Sequence, residues 1–397
     1  SVTSIGKSAF EGCSYLTEIN IENLKLKVLE ESTFSGCESL EKITIPKYLE
    51  KISTSVFEDC TNLSSLDILE NSNLSIIESS AFKNCKISDI FISSNIKKME
   101  DGWCNSVFNL KNISVSPLNK YFRYVDDKYL LTKSNINDDK DDDNSNNDNN
   151  NNDDDEEIYD VLIFARRDIV EANIPSYIKI IDSYSFENCT NLRIINFENN
   201  NQLERINKYA FSNCSNLQTI NIPSSLKYIG YQCFSSCSKL TEINIPENSQ
   251  IQIIEKSAFK NTMLNKIYIP SNIKELSNKW LKGVENLIKV SISSNNKAFS
   301  FIDNKYLLQN TNLASHVKNN MNIELSEKQD SLIFACRDII DADIPSFVNF
   351  IGSYSFEKCK KLRTITFEND SKLKQIDKCA FANCSSLNNL NIPPNLR

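Results

Sequence analysis

Residues 210–223 read AFSNCSNLQTINIP, and closely related phrases occur at 9–21 (AFEGCSYLTEINI), 81–92 (AFKNCKISDIFI) and 380–393 (AFANCSSLNNLNIP). Such phrases form three runs, and within each run their phenylalanines are 23–25 residues apart. Repetition at a fixed period of this length is typical of solenoids, in which each coil buries its apolar face against the next coil. The sequence therefore predicts a stack of similar coils. The repeat phenylalanines are Phe10, Phe34, Phe57, Phe82, Phe186, Phe211, Phe234, Phe259, Phe356 and Phe381.

Each repeat contains the pieces of one coil. Six positions after the phenylalanine, an L-x-x-I-x-I segment such as LTEINI (240–245) alternates apolar and polar residues, which is the period of a strand. A second apolar pair, such as Leu226 and Ile229, indicates a short extended piece. A serine before the AF phrase, as in SSAF (79–82), suggests an N-cap on a single helical turn. We predict a coil made of a strand, a bend, a short extended piece and a helical turn.

A longer repeat lies above the short one. VDDKYLLTK (125–133) matches IDNKYLLQN (302–310), and the LIFA segment that begins at 162 matches the one at 332. In both copies a variable polar segment separates KYLL from LIFA, which predicts a β-hairpin with an extended tip. The first tip carries the Asn/Asp-rich tract 138–157, and we expect it to be disordered because it has almost nothing apolar to bury.

These patterns predict five segments, and residue 1 already lies inside a repeat, so we expect the sequence to be a piece of a longer protein. The predicted segments are a first repeat run (1–115), a hairpin unit with the Asn/Asp-rich loop (116–168), a second run (169–292), a hairpin unit with a polar loop (293–338) and a truncated third run (339–397).

The A-F-x-x-C-x-x-L-x-x-I-x-I-P consensus and the KYLL…LIFA unit resemble the BspA-type, or treponemal-type, leucine-rich repeat family. The resemblance covers nearly all of the chain outside the polar insertions, and it departs at Thr262, where cysteine is expected, and in the coils of Trp103 and Trp280. It implies a β-rich α/β solenoid, with a right-handed superhelix and a concave parallel sheet. It also implies a cell-surface or secreted role in adhesion to host proteins, matrix, glycans or other microbes.

Nine of the thirteen cysteines lie three residues after a repeat phenylalanine. A zinc site would need local clusters such as C-x-x-C, and the sequence has none. Neighbouring coils place equivalent Cα atoms about 5 Å apart, within disulfide reach, but parallel side chains do not by themselves give the disulfide torsion. We predict a buried, reduced ladder, although paired cysteines are usual outside the cell. The ladder is Cys13, Cys37, Cys60, Cys85, Cys189, Cys214, Cys237, Cys359 and Cys384.

The residue types argue against catalysis. The single histidine, His316, lies in the second polar insertion, and no phosphate-binding glycine motif occurs. The tract 138–157 holds eleven acids and one lysine, so the rest of the chain carries a net charge near +2 and no basic stripe that would indicate nucleic acid. Apolar runs are too short to span a membrane. We predict no catalytic residue, cofactor, metal, nucleic-acid partner or membrane insertion.

The binding face is predicted from the strand pattern. In L-x-x-I-x-I, the x between the last two apolar residues faces the concave surface, where polar side chains are interrupted by Phe91 and Tyr268. Exposed aromatic side chains often dominate binding. Alternatively, stacked Asn and Thr only hydrogen-bond to one another and the aromatic rings cover an apolar gap. The predicted partner-binding residues are Phe91, Tyr268, Asn196, Asn221, Asn244, Thr44 and Asp67.

We therefore predict a non-enzymatic adhesion module that binds protein or glycan ligands of host cells, matrix or microbes. The alternative is an intracellular leucine-rich repeat scaffold for protein–protein interaction.

Overall fold

The structure is a computed structural model that describes residues 2–134, 158–277, 279–310 and 331–393. The chain divides into two compact units: unit 1 is Ser1–Arg167 with Tyr177–Ser185, and unit 2 is Asp168–Ser176 with Phe186–Arg397. Each unit is a stack of coils joined by parallel strands, and the described ranges contain no helix. The acidic tract expected to be disordered lies outside these ranges.

Except in the first coil (16–21), the predicted L-x-x-I-x-I segments form short parallel strands, which we call the face strands. Residues at the same repeat position pair, so that Lys42 lies opposite Ser65 and Thr44 opposite Asp67. In unit 1 the face strands are β2 (Lys42–Thr44), β4 (Ser65–Asp67), β6 (Asp89–Ile92) and β8 (Asn112–Val115). In unit 2 they are β12 (Glu171–Ile174), β14 (Ile194–Phe197), β16 (Thr219–Asn221), β18 (Glu242–Asn244), β20 (Lys266–Ile269), β22 (Lys289–Ile292), β26 (Asp341–Ile344), β28 (Thr364–Phe367) and β30 (Asn389–Leu390).

The second apolar pair of each coil forms a strand of two residues, as the sequence predicts. In these strands the second residue points inward, and Leu29 and Ile52 are fully buried. Unit 1 contains β1 (Val28–Leu29), β3 (Lys51–Ile52), β5 (Ile76–Ile77), β7 (Lys98–Met99) and β13 (Ile180–Ile181). Unit 2 contains β15 (Arg205–Ile206), β17 (Tyr228–Ile229), β19 (Ile253–Ile254), β21 (Glu275–Leu276), β27 (Phe350–Ile351) and β29 (Gln375–Ile376).

The KYLL and LIFA segments pair as antiparallel strands in both units, which confirms the predicted hairpin. Tyr129 lies opposite Ala165 and Tyr306 opposite Ala335. A further antiparallel strand, not predicted, precedes KYLL in each copy. The strands are β9 (Phe122–Val125), β10 (Tyr129–Thr132) and β11 (Val161–Ala165) in unit 1, and β23 (Phe299–Ile302), β24 (Tyr306–Gln309) and β25 (Ser331–Ala335) in unit 2.

The AF phrase does not form the predicted helical turn. In SSAF and the residues after it, Ser80 and Asn84 have φ of 57° and 58°, which interrupts a right-handed helix. The N–H groups of Lys83 and Cys85 bond to carbonyls three residues back, whereas the N–H groups of Ser80 and Phe82 bond to the next coil. The segment is therefore a chain of β-turns that adds a third ladder between coils. We call it the turn segment.

Stacked aromatic rings run through the core of each unit. Phe34 and Phe57 have ring centroids 5.6 Å apart and nearly parallel planes, as do Phe57 and Phe82. In both units the stack of parallel rings ends edge-on against tryptophan, at Phe82–Trp103 and Phe259–Trp280. The coils that lack the AF phrase thus keep an aromatic ring at the same place in the stack.

Candidate functional site

The side chains between the buried residues of the face strands form an outward surface, which we call the strand face. In β2, for example, Ile43 is buried while Lys42 is exposed and Thr44 is half-buried. Its central column in unit 1 is Thr44, Asp67, Phe91 and Ser114. In unit 2 the column is Asn173, Asn196, Asn221, Asn244, Tyr268, Ser291, Asp343 and Thr366.

The asparagines of this column hydrogen-bond along the stack. Asn196 Nδ2 donates to Asn173 Oδ1 at 2.9 Å, and Asn244 Nδ2 donates to Asn221 Oδ1 at 2.9 Å. Each amide can make further bonds, since it has two donors and two acceptor lone pairs. Asn196, Asn221 and Asn244 remain exposed. The amide ladder of the alternative interpretation is therefore present, and it leaves these amides in contact with solvent.

Thr44 and Asp67 are half-buried neighbours in paired strands of unit 1. Lys42 Nζ lies 2.8 Å from Asp67 Oδ2. Both ion-pair partners are more than a third exposed, so the pair contributes little to stability. In this part of the strand face, the positive charge of Lys42 is balanced by the negative charge of Asp67.

Phe91 and Tyr268 occupy equivalent places, and each is half-buried. Phe91 lies opposite Ser114 and Tyr268 opposite Ser291 in the adjoining face strands. Both serines are exposed and small, so each ring is next to a shorter side chain on one flank. A large ring beside a small side chain forms a step on an otherwise even surface. The strand pattern predicts exposed rings at these places, and the structure buries part of each.

The cysteine ladder lies in the core, apart from its two ends. Cys37, Cys60 and Cys85 are buried, whereas Cys13 is exposed and Cys384 is half-buried. Six thiols of the ladder donate to the carbonyl of the phenylalanine one coil before, as from Cys60 Sγ to Phe34 O at 3.1 Å. Cys359 Sγ instead donates to Cys336 O at 3.6 Å. Buried ladder members also include Cys189, Cys214, Cys237 and Cys359, and all thirteen cysteines are free thiols.

Burial controls the chemistry of these thiols. It raises the pKa of Cys37 to about 11 and that of Cys60 to about 12. A thiol with such a pKa is protonated at neutral pH, and the protonated form is a poor nucleophile and a poor metal ligand. At Thr262 the hydroxyl instead donates to Phe259 O of its own coil at 2.9 Å. The position that cysteine holds in the ladder therefore also tolerates threonine, another small buried hydrogen-bond donor.

Two buried arginines, which the sequence analysis overlooked, connect the antiparallel strands to the turn segments. Arg167 Nη1 donates to Ser185 O at 2.8 Å, and its guanidinium lies 4.5 Å from the Phe164 ring centroid. Arg337 makes the same bond to Ser355 O. These contacts assign both arginines a structural role. The repeated R-D-I after LIFAR and LIFAC is the sequence signal that would have found them.

Features of other protein classes are missing from the part of the chain that the structure describes. No group of His, Cys, Asp or Glu there is arranged to hold a metal ion, and none of its elements is a helix able to cross a membrane. His316 lies outside the described residues.

Stacked short strands, a repeating leucine and isoleucine core and a long outward strand face define a leucine-rich repeat solenoid in each unit. A sequence profile of the BspA type Leucine rich repeat region matches residues 1–124, 158–288 and 327–397, with six copies. The chain belongs to the BspA-type leucine-rich repeat family. Proteins with repeats of this kind are generally binding modules without catalytic activity.

Solved structures of bacterial proteins share the fold. A leucine rich cell surface protein from Faecalibacterium prausnitzii is 20% identical, with a TM-score of 0.54, and the match covers 93% of this chain and 70% of that protein. The pneumococcal vaccine antigen PcpA is 18% identical, with a TM-score of 0.50, and the match covers 98% of this chain and 69% of that protein. A search of curated proteins found no match.

Proposed function

We propose that the protein is a non-enzymatic adhesion module of the cell surface, and that the strand face binds a protein or glycan on host cells, matrix or other microbes. Phe91 and Tyr268 are the proposed anchors. The observation that carries the proposal is that the same half-buried ring recurs beside a small serine in both units. Aromatic rings that are partly fixed by their neighbours gain contact area at a low entropic cost.

The asparagines provide the second part of the proposed face. Asn196, Asn221 and Asn244 are exposed and already oriented by the amide ladder, so little side-chain entropy is lost when they bind a ligand. Thr44 and Asp67 extend the same column in unit 1. The description of a similar structure as a cell surface protein supports the proposed location.

The experiment compares wild type with Phe91→Ala, Tyr268→Ala and the double variant on immobilised matrix proteins, a glycan array and cultured epithelial cells. We expect each single variant to weaken the binding that wild type shows, by about tenfold, and the double variant to remove it. Tyr15→Ala is the matched control, because Tyr15 is 94% exposed and lies outside the strand face. Equal binding by wild type and the double variant would exclude the aromatic anchors.

A second candidate, an intracellular scaffold, is favoured by one observation. All thirteen cysteines are free thiols, which is usual in reducing compartments. Immunofluorescence of the native full-length protein on intact and on permeabilised cells separates the two candidates. Labelling only after permeabilisation would favour the scaffold.

A further inference from the structure

The turn segments of unit 2 carry a cluster of lysine and tyrosine side chains that lies outside the face strands. It consists of Tyr231, Lys256, Lys260, Lys279, Lys282 and Tyr354, and we call it the lysine–tyrosine cluster. The hydrogen-bond ladder places its members on neighbouring coils. Ser257 N donates to Lys279 O at 3.1 Å, and Asn261 N donates to Lys282 O at 3.1 Å. The four lysines therefore occupy two adjacent coils, two on each.

The two tyrosines flank these coils. Gln232, which follows Tyr231, donates its N–H to Lys256 O at 3.3 Å, so that Tyr231 lies on the coil before the lysines. On the other side, Lys279 Nζ and Lys282 Nζ lie 5.0 and 5.2 Å from the centroid of the Tyr354 ring. Two ammonium groups thus share one ring, which is a favourable cation–π arrangement.

The positive charges of the cluster are not neutralised within the described part of the chain. None of the four lysines forms an ion pair with a carboxylate there, although three of them are half-buried. Nearby acids are engaged elsewhere: Glu285 bonds to Lys358 and Lys360, and Glu357 accepts the N–H of Gly283. Burial raises the pKa of Tyr231, but hydrogen bonding and the charges of Lys256 and Lys260 lower it overall.

The equivalent turn segments of unit 1 lack this charge. At the 177-residue offset, Lys256, Lys279 and Lys282 correspond to Ser79, Gly102 and Asn105, and Tyr231 corresponds to Thr54. Lys260 corresponds to Lys83, whose Nζ forms an ion pair with Glu58 at 2.5 Å. The backbone of the turn segment therefore does not require lysine at these places.

We propose that the lysine–tyrosine cluster is a binding site for a sulfated linear polysaccharide, separate from the strand face. Adjacent coils are about 4.8 Å apart, so the two pairs of lysines concentrate positive charge against a polymer that repeats its own anionic groups. Lysine ammonium groups are compact point charges that suit sulfate and carboxylate oxygens. Ammonium groups without a carboxylate partner among the described residues attract such a polyanion.

A nucleic acid fits the cluster less well. Proteins that bind single strands stack bases on aromatic faces, and two lysine ammonium groups already lie over the ring of Tyr354. The cluster also contains no arginine, which is the side chain that forms bidentate contacts with phosphate and guanine. A sulfated glycan needs only the charges, and it leaves the rings to position the lysines.

The test measures binding of heparin fragments to the full chain by isothermal calorimetry at two salt concentrations. We expect wild type to bind, with an affinity that falls as salt rises, and K256Q/K260Q/K279Q/K282Q to bind at least about tenfold more weakly. The matched control, K25Q/K47Q/K86Q/K120Q, removes the same number of charges from unit 1 and should bind like wild type. The single variants K256Q and K279Q should be intermediate, and circular dichroism verifies folding of every variant.

Three results would overturn the proposal: equal loss of heparin binding in both quadruple variants, no binding by folded wild type, or tighter binding of a single-stranded oligonucleotide than of a heparin fragment of similar charge. Neutral dextran should not bind. The F91A/Y268A variant should bind heparin normally, because the cluster does not include the strand face. Failure of the proposed adhesion anchors would therefore leave this site intact, and the two results can be distinguished.

Discussion

The turn segments of unit 1 and unit 2 share a backbone and differ in charge. In unit 1, Lys83 is paired with Glu58, whereas in unit 2 the equivalent Lys260 has no carboxylate partner among the described residues, because Ser235 replaces the glutamate. The aromatic stacks behind them are nearly the same, with four stacked phenylalanine rings and an edge-on tryptophan in each unit. The comparison teaches that this fold holds its core constant while the turn segments vary independently.

The largest expected effect tests whether the two cores are equivalent. Phe57→Ala and Phe234→Ala remove the same fully buried ring from each unit, at the 177-residue offset. Each should lower the free energy of unfolding by about 3–5 kcal/mol. The chain has two tryptophans, Trp103 in unit 1 and Trp280 in unit 2, so single-tryptophan variants report on each unit in urea. Costs that differ by more than about 2 kcal/mol would show that the stacks are not equivalent.

A smaller effect is expected at the thiol ladder. Cys60→Ala and Cys237→Ala each leave a small cavity and a phenylalanine carbonyl without its thiol donor. We expect a loss of about 1–2 kcal/mol in each unit by urea unfolding. Ellman's reagent on native wild type gives the complementary measurement.

Only Cys13, Cys379 and Cys384 should react quickly with that reagent, because the other thiols are buried. The raised thiol pKa values add stability below about pH 9, and this contribution is lost as pH rises toward the folded values near 11 and 12. Fast reaction of more than these three thiols in folded protein would contradict the buried ladder.

The charge difference between the turn segments predicts unequal effects of one substitution. Lys83→Gln breaks a partly buried ion pair and should cost up to about 1 kcal/mol, whereas Lys260→Gln should cost nearly nothing. Burial raises the pKa of Glu58, but hydrogen bonds from Lys83 and Ser55 lower it overall. Thermal unfolding of both variants at neutral pH makes the comparison. Equal shifts would mean that the Lys83–Glu58 pair adds nothing.

The smallest effect concerns Glu285, which links two coils of unit 2. Hydrogen bonds from Lys358 and Lys360 lower its pKa to about 2. A lowered carboxyl pKa stabilises the folded state above about pH 4.5, and this contribution disappears as pH falls toward 2. Glu285→Gln should therefore be less stable than wild type at pH 6, by at most about 1 kcal/mol because the Glu285 side chain remains more than a third exposed, and the difference should vanish near pH 2. A constant difference across this range would exclude the ion pair as its cause.

The sequence predicted the features that every coil repeats. The phenylalanine, cysteine and isoleucine columns could be read because each position recurs at a fixed period and has one environment. The KYLL–LIFA hairpin followed from the longer repeat. The prediction of a helical turn was wrong, because a serine before AF is compatible both with an N-cap and with the positive φ that Ser80 adopts. Local sequence does not distinguish these when the next coil supplies the hydrogen-bond acceptors.

The other omissions concern contacts that do not recur. The strand before KYLL was missed, although Asp126 and Asp127 have the paired positive φ of a two-residue hairpin turn. The lysine–tyrosine cluster was missed because net charge hides a local excess. Comparing the two copies at a 177-residue offset would have shown Ser79, Gly102 and Asn105 replaced by lysine. The residues of the strand face were identified from the alternation alone, and their role in binding stays a prediction.

The left-handed residue before each AF phrase has a consequence for how such a chain changes over time. This place is held by Ser32 and Ser80, by Tyr209 and by Gln232, and the N–H of each donates to a carbonyl of the next coil. Left-handed backbone costs an ordinary side chain about 1–2 kcal/mol, and the neighbouring coil's hydrogen bonds maintain it whichever residue is present. Natural selection can therefore exchange side chains here with little risk to folding, and new binding specificities can arise on the turn segments one mutation at a time.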